Sequence, residues 1–166
     1  MRLLVLLLLG LAGVGCGPAG LPPSASSPKL NQALPSFERE TIDGGKVSTS
    51  GSGRVVVVKF FAKYCEPCKK TLPEAQALHD NDRDVLVIGV AEDETQADVQ
   101  ELVTELGLTF PVVHDRGNVL ASRYQVSELP ITFVADRAGT IRWVADGNTD
   151  PRSFPRAVAA VKQPSP

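Results

Sequence analysis

Two short apolar runs constrain the fold more than any other feature of this 166-residue chain. Four consecutive valines occupy positions 55–58, and the stretch Val85–Val90 contains only aliphatic side chains and one glycine. Runs of this length, bounded by polar residues, are typical of strands that are buried on both faces. The sequence therefore predicts a sheet whose central strands are 54–61 and 84–91.

Helical and strand-like patterns alternate around these two strands. Apolar spacing predicts further helices, and turn signals such as Asp43-Gly44-Gly45 predict hairpins. The expected elements are helices at 66–79, 95–106, 119–124 and 151–162, hairpins at 37–48 and 131–145, and a short strand at 110–113. Strands that alternate with helices and end in a hairpin predict an α/β fold, with a mixed sheet covered by helices on both faces.

The N-terminal residues have the pattern of a targeting signal. Met1-Arg2 supplies one positive charge, and an apolar stretch follows that ends in small residues before Cys16. This stretch is shorter than the roughly 20 residues of a bilayer span, so residues 1–15 are predicted to be a cleaved secretory signal. Cys16 then resembles the lipid-carrying first residue of a bacterial lipoprotein, although Gly13 stands where that signal usually has leucine. Plain secretion and an uncleaved anchor are the alternatives.

The segment after Cys16 differs in composition from the rest of the chain. Residues 16–34 are rich in Gly, Pro, Ala and Ser. Such a composition buries too little apolar surface to offset the entropy of ordering, so we predict a flexible tether here. The folded domain is then expected over residues 35–162.

Charge and cysteine content exclude several classes of protein. The chain has 17 basic and 19 acidic side chains and no basic block, which argues against a dedicated nucleic-acid binder. Three cysteines are too few for a disulfide-stapled scaffold.

Cys65-Glu66-Pro67-Cys68 is the strongest chemical signal, because it follows a predicted buried strand and opens a helix. Unpaired backbone N–H groups and the helix dipole favour an anion there, so a cysteine at this position is shifted toward the nucleophilic thiolate. The spacing also allows the second sulfur to reach the first. A purely structural disulfide would close a very small loop with little stabilisation. A zinc ribbon needs a second ligand pair, whereas His79 and His114 are isolated.

The stretch from Val56 to Glu74 resembles the active-site segment of thioredoxin-fold proteins, and is most similar to the TlpA/ResA-like thiol–disulfide oxidoreductases of the redoxin (AhpC/TSA) superfamily. Pro73 matches the kink proline of that family, and the likeness extends over most of residues 34–162. It implies a thioredoxin fold with a leading hairpin and an inserted strand and helix. It also implies that Cys65 is the attacking thiol, that Cys68 is the resolving thiol, and that the two form a redox disulfide.

Three further residues acquire roles through the resemblance. Pro130 matches the cis-proline that packs against the disulfide, and the backbone of Leu129 would then be free to pair with an extended substrate segment. Glu92 ends the second buried strand, where α/β sheets place their sites, and matches a glutamate that tunes cysteine protonation. The alternative for Glu92 is a solvated position in an acidic loop.

The chain departs from the family pattern at two positions near the cysteines. Lys59 stands where thioredoxin has a buried aspartate, and we hypothesise that it pairs with Glu92 and partly replaces the usual proton relay; otherwise it reaches solvent. Tyr64 stands where tryptophan usually precedes the first cysteine, which affects the expected substrate contacts. Glu66 and Pro67 are expected to support the active site from between the cysteines.

The resemblance implies a bacterial envelope reductase that needs no cofactor or metal. Its substrates would be protein disulfides, with apocytochrome c a frequent one in the family. Electrons would come from a membrane donor of the CcdA/DsbD type, because an oxidising compartment keeps thiols oxidised. The protein would lie on the periplasmic side, held by a lipid anchor or secreted.

Two other activities remain as alternatives. A peroxiredoxin-like peroxidase would have Pro and Thr or Ser before its cysteine, at positions that hold Val58 and Ala62 here. A copper carrier similar to the Sco proteins would have three residues between its cysteines and a distal histidine. Here two residues separate the cysteines, and His114 is in a different segment.

Overall fold

The computed structural model of the chain describes residues 20–163. The elements are β1 (Glu38–Glu40), β2 (Lys46–Ser48), β3 (Val55–Phe61), α1 (Glu66–Asn81), β4 (Val85–Ala91), α2 (Gln96–Glu105), β5 (Val112–His114), α3 (Val119–Tyr124), β6 (Ile131–Ala135), β7 (Ile141–Ala145) and α4 (Ser153–Lys162). The predicted fold class is confirmed, and the predicted elements all occur within a few residues of their expected bounds.

A five-stranded mixed sheet in the order β5-β4-β3-β6-β7 forms the centre of the molecule. Strands β3, β4 and β5 are parallel, whereas β6 and β7 are antiparallel to their neighbours. Every residue of β3 and β4 is buried, including Lys59 of β3, which interrupts the otherwise apolar sequences of the two strands. The short hairpin β1–β2 forms a separate two-stranded sheet.

Alternation along the strands divides the interior into two apolar clusters. Val55, Val57 and Phe61 of β3 pack with residues of α1, α2 and α4 on one face of the sheet. Val56, Val58 and Phe60 pack with residues of α3 and with the chain before β1 on the other face. The sheet is therefore covered on both sides, and any side chain of β3 can be assigned to a face by its position in this alternation.

Gly89 lies where β4 comes closest to its neighbours. A Cβ atom at this position would lie 2.8 Å from the Phe61 ring and 2.9 Å from the Phe110 ring. These distances are below van der Waals contact, so only glycine fits without moving an aromatic ring. This explains why a glycine interrupts an otherwise aliphatic strand.

The segment before β1 differs from the sequence-based expectation. Residues 23–34, which we call the edge segment, lie along the outer edge of β7. The backbone N–H to carbonyl pairs are Ala25–Val144, Asn31–Ile141, Ile141–Gln32 and Leu34–Gly139, at 2.7–2.9 Å. Trp143 Nε1 also donates to the carbonyl of Pro23 at 3.0 Å. The tether prediction is therefore wrong for residues 23–34, because an uncovered edge strand offers unpaired backbone groups that this segment satisfies.

Residues 1–19 lie outside the described part of the chain, and with them the predicted signal peptide and Cys16. Within residues 20–163, none of the helices has the length and apolar character that a membrane span requires.

Candidate active site

The two cysteines meet at the N-terminus of α1, directly beyond the end of β3. Cys65 is the N-cap residue, with an extended backbone, and its Sγ accepts a hydrogen bond from the backbone N–H of Cys68 at 3.2 Å. The two sulfurs form a disulfide with an S–S distance of 2.07 Å and a Cα–Cα distance of 5.2 Å. Pro67 fits the first turn, where a missing N–H costs nothing.

Exposure distinguishes the two sulfurs of this disulfide. Cys65 is 7% exposed and lines a surface groove, whereas Cys68 is 0% exposed and does not line it. An incoming sulfur therefore reaches Cys65 first, and Cys68 only through Cys65.

The groove in front of Cys65 has a volume of about 580 Å³. The residues that line it are Tyr64, Cys65, Glu66, Pro67, Glu92, Asn118, Val126, Ser127, Glu128 and Leu129. Tyr64 is 71% exposed, an unusual state for an aromatic side chain, and it directly precedes Cys65. The groove therefore combines an accessible sulfur, an aromatic surface and several carboxylates.

Pro130 directly precedes β6 and follows Leu129, which lines the groove. The Leu129–Pro130 peptide bond is cis, as the resemblance implies. Leu129 lines the groove and is partly buried against the apolar clusters on both faces of the sheet. The structure thus brings Cys65, Glu92 and Leu129 together around one groove, with Pro130 adjacent in the chain.

Glu92 follows the end of β4 and lines the same groove as Cys65. Its backbone N–H donates to the carbonyl of Phe61 at 2.9 Å, which fixes this chain segment beside the end of β3. Burial, with smaller contributions from the nearby Asp115 and Asp93, raises the pKa of the Glu92 carboxyl to about 7. Among the described residues, Glu92 Oε1 is buried and has no hydrogen-bond partner. A carboxyl in this state can exchange a proton near neutral pH.

Two aspartates beside Glu92 were missed by the sequence analysis. Asp93 is 5% exposed, and its Oδ1 accepts a hydrogen bond from the backbone N–H of Lys63 at 2.9 Å. Burial raises the pKa of Asp93. Asp115 accepts hydrogen bonds from the N–H groups of Leu120 and Ala121 and thereby fixes the start of α3. Both aspartates follow the ends of parallel strands, and that position was the available signal for them.

Lys59 lies on the opposite face of the sheet from Glu92, so the predicted pairing of these two residues is wrong. The strand alternation places Lys59 with Val57 and Phe61, toward α1 and α4. Its Nζ donates to Thr132 Oγ1 at 3.2 Å, inside a small cavity of about 30 Å³ that Glu74 and Pro130 also line.

Burial determines the protonation behaviour of Lys59. The side chain is 5% exposed, so the alternative of a solvent-reaching lysine is also wrong. Burial lowers the pKa of Lys59 to about 8, and the opposite charge of Glu74 raises it only in part. Lys59 is therefore a buried cation, and it lies on the face of the sheet that packs against α1 rather than at the groove.

The remaining polar residues near the motif have other partners. Glu66 is exposed and pairs with Lys69 Nζ at 2.9 Å. His114 Nε2 lies 2.8 Å from the carbonyl of Asp93, and the His79 ring packs on Phe110. Within residues 20–163, no group of three or more His, Cys, Asp or Glu side chains is arranged to hold a metal ion.

The fold and the site define a thioredoxin-fold thiol–disulfide oxidoreductase. The chain belongs to the AhpC/TSA family, whose sequence profile matches residues 30–144.

Proteins with related sequences and structures have matching descriptions. The chain is 30% identical over 129 residues to sporulation thiol-disulfide oxidoreductase A of Bacillus subtilis, covering 74% of this chain and 78% of that one. It is 29% identical over 116 residues to the thiol-disulfide oxidoreductase ResA of Bacillus thuringiensis, covering 68% and 67%. The crystal structure of StoA from Bacillus subtilis is similar with a TM-score of 0.64 and 26% identity, covering 76% of this chain and 96% of that one.

Proposed function

We propose that this protein reduces disulfides in other proteins, with Cys65 as the attacking thiol and Cys68 as the resolving thiol. The observation that carries the proposal is the unequal placement of the two sulfurs, with Cys65 at the groove and Cys68 fully buried behind it. The start of a helix stabilises a thiolate, and the N–H of Cys68 that points at Cys65 Sγ adds a direct hydrogen bond.

The first step is attack of the Cys65 thiolate on one sulfur of the client disulfide. The bond from Cys65 Sγ to that sulfur forms, the client S–S bond breaks, and the other client sulfur leaves as a thiolate that takes up a proton. The segment around Leu129 supports this step, because an extended client chain beside it would bring its sulfur to the groove.

The second step releases the client. Cys68 loses its proton and attacks Cys65 Sγ, so the Cys65–Cys68 bond forms while the mixed disulfide breaks. The second client sulfur leaves as a thiolate and is protonated. Two electrons pass in total from the enzyme dithiol to the client disulfide, and a thiol donor must return them before the next cycle.

Glu92 is suited to carry protons during these steps. It lines the groove beside Cys65, and burial with neighbouring carboxylates raises its pKa to about 7. A base works best when its pKa is near the ambient pH, so Glu92 would accept a thiol proton and return it to a leaving thiolate.

The cellular setting is part of the proposal. The signal-like residues 1–15 and Cys16 support export with a lipid anchor on the periplasmic side of a bacterial envelope. In such an oxidising compartment a reductase needs electrons from a membrane thiol donor of the CcdA/DsbD type. Apocytochrome c would be a client, as in the family that the sequence resembles. Mass spectrometry that finds no lipid mass on an N-terminal Cys16 would contradict the lipid anchor.

A trapping experiment tests the central proposal. Without the resolving thiol, the Cys68→Ser variant should accumulate a mixed disulfide between Cys65 and its client, which mass spectrometry of the non-reduced adduct identifies. The Cys65→Ser variant is the matched control and should trap nothing. Equal trapping by both variants, or an adduct on Cys68 in the native protein, would refute the assigned roles.

A further inference from the structure

The ionisable side chains that line the groove in front of Cys65 include glutamates but no basic residue. Glu66, Glu92 and Glu128 come from three separate segments, and no Lys, Arg or His is among the lining residues. Lys69 pairs with Glu66 at 2.9 Å and offsets part of that charge. Glu128 is exposed and makes no ion pair within residues 20–163. The free negative charge of the groove is therefore concentrated at Glu128.

The position of Glu128 relates this charge to the reacting sulfur. Glu128 directly precedes Leu129, beside which an extended client chain is proposed to lie, and Tyr64, which precedes Cys65, lines the same groove. An exposed tyrosine ring and a free carboxylate together suit a lysine or arginine side chain, through a cation–π contact and an ion pair. An acidic client side chain would meet like charge from both the Glu128 and Glu92 segments.

The acidic lining also affects the nucleophile. Carboxylates near a thiol disfavour its ionised form, so the acidic lining partly opposes the stabilisation that the start of α1 gives the Cys65 thiolate when no client is present. A cation that docks beside Cys65 offsets this repulsion and favours the thiolate at the moment of encounter. Charge complementarity would thus increase both the rate of association and the reactivity of the sulfur.

We propose that the groove selects client segments with lysine or arginine next to the reacting disulfide, and that Glu128 and Tyr64 are its specificity-determining residues. This inference rests on the proposed disulfide-reductase function and specifies the substrate class of the same site. The occupant is an extended, positively charged polypeptide segment with a cysteine at its centre. The exchange steps and their electron balance are those given above.

Synthetic peptides that share one intramolecular disulfide and differ only in their flanking residues test this selection. The flanks are lysine, serine or glutamate, and the measured quantity is the second-order rate constant for oxidation of the reduced protein. At low ionic strength we expect the lysine peptide to react about tenfold faster than the serine peptide, and the glutamate peptide to react more slowly than both. The differences should shrink at about 1 M salt, where the Debye length falls to about 3 Å.

Variants of single residues locate the effect. Glu128→Gln should reduce the ratio between the lysine and serine peptides, Glu128→Lys should invert the preference, and Tyr64→Ala should lower the lysine-peptide rate. Glu38→Gln removes the same charge from β1, at a position that does not line the groove, and should leave every ratio unchanged. Equal rates for the three peptides, or an equal effect of Glu38→Gln, would overturn the selection. Failure to reduce even the serine peptide would instead refute the reductase function on which it rests.

Discussion

Lys59 and Thr132 are joined by a hydrogen bond across neighbouring strands, from Nζ to Oγ1 at 3.2 Å. An ammonium group has three donors, and this is the one hydrogen bond that Lys59 Nζ makes to the described residues. Glu74 provides the opposing charge that acts on it. A buried cation with incomplete hydrogen bonding is costly, so Lys59 should lower the stability of the fold while it is charged.

We expect Lys59→Met to raise the free energy of unfolding at pH 7, because it removes this charge and leaves an apolar side chain of similar length. The folded pKa of about 8 lies below the ordinary lysine pKa of 10.5, so the native state binds fewer protons than the unfolded state between these values. The destabilisation caused by the charge of Lys59 is therefore complete below about pH 8 and disappears as the pH rises to about 10.5. Its upper size is about 3 kcal/mol.

Urea unfolding of both proteins between pH 6 and pH 10 checks this effect. The difference in the free energy of unfolding between Lys59→Met and the native protein should decrease as the pH rises above about 8. Because both proteins share their other titrating groups, taking this difference cancels the titration of those groups. Thr132→Val is the companion variant and should lower the native stability, because it removes the one hydrogen bond to Lys59. A difference that does not change with pH would contradict the assigned protonation of Lys59.

Substitution of Glu92 should simplify the pH dependence of cysteine reactivity. With a carboxyl pKa of about 7 beside it, the Cys65 thiol should titrate in coupled steps. In the Glu92→Gln variant, the rate of alkylation of Cys65 plotted against pH should show a single ionisation. The exposed Glu94 provides a matched control, since Glu94→Gln should retain the native profile. Identical profiles for all three proteins would exclude Glu92 from proton exchange with the sulfurs.

The same carboxyl should affect stability in the disulfide form. Burial raises the folded pKa of Glu92 above its ordinary value, so the native state binds more protons than the unfolded state between about pH 4.5 and pH 7. Stability from this group is therefore present below about pH 4.5 and is lost as the pH rises through about 7. Thermal unfolding should show Glu92→Gln equal to the native protein at pH 4 and more stable at pH 8. The reverse order would contradict the raised pKa.

A methyl group at position 89 should destabilise the sheet centre. The Cβ of Gly89→Ala would lie within 3 Å of both the Phe61 and Phe110 rings, and overpacking of this kind costs about 1–3 kcal/mol. Denaturant unfolding measures the loss. Gly147→Ala is the control, because its Cβ would meet Pro130 at an ordinary 3.5 Å and should change stability little. Equal effects at both positions would indicate that the rings beside Gly89 yield easily.

The sequence was sufficient to predict the central strands and the redox motif, because both depend on local patterns. The apolar runs at 54–61 and 84–91 correspond to β3 and β4 within one residue. Short runs rich in valine and isoleucine and bounded by polar residues are typical of buried strands. The Cys-Glu-Pro-Cys motif can likewise be recognised from its local sequence, because a strand pattern precedes it and a helix pattern follows it.

Features that depend on pairing between distant segments could not be predicted. In the β3–β4 register Lys59 stands opposite Gly89, and this register places Lys59 and Glu92 on opposite faces of the sheet. A shift of one residue would have placed them on the same face. Asp115 approaches Glu92 because β5 pairs with β4. The composition of residues 23–34 predicted a tether, but these residues pair with the free edge of β7, which is a tertiary feature with no local signal.

Removal of the edge segment should lower the stability of the domain, although the sequence alone placed the boundary at residue 35. A chain that begins at residue 35 loses the backbone hydrogen bonds to β7 and leaves Trp143 Nε1 buried without its Pro23 acceptor. Because each such bond contributes about 1 kcal/mol net, we expect a loss of about 2–5 kcal/mol relative to a chain that begins at residue 21. Urea unfolding of the two shortened chains measures the difference, and hydrogen exchange at the β7 amides should accelerate in the shorter one. Equal stability and equal exchange would show that the sheet does not depend on this cover.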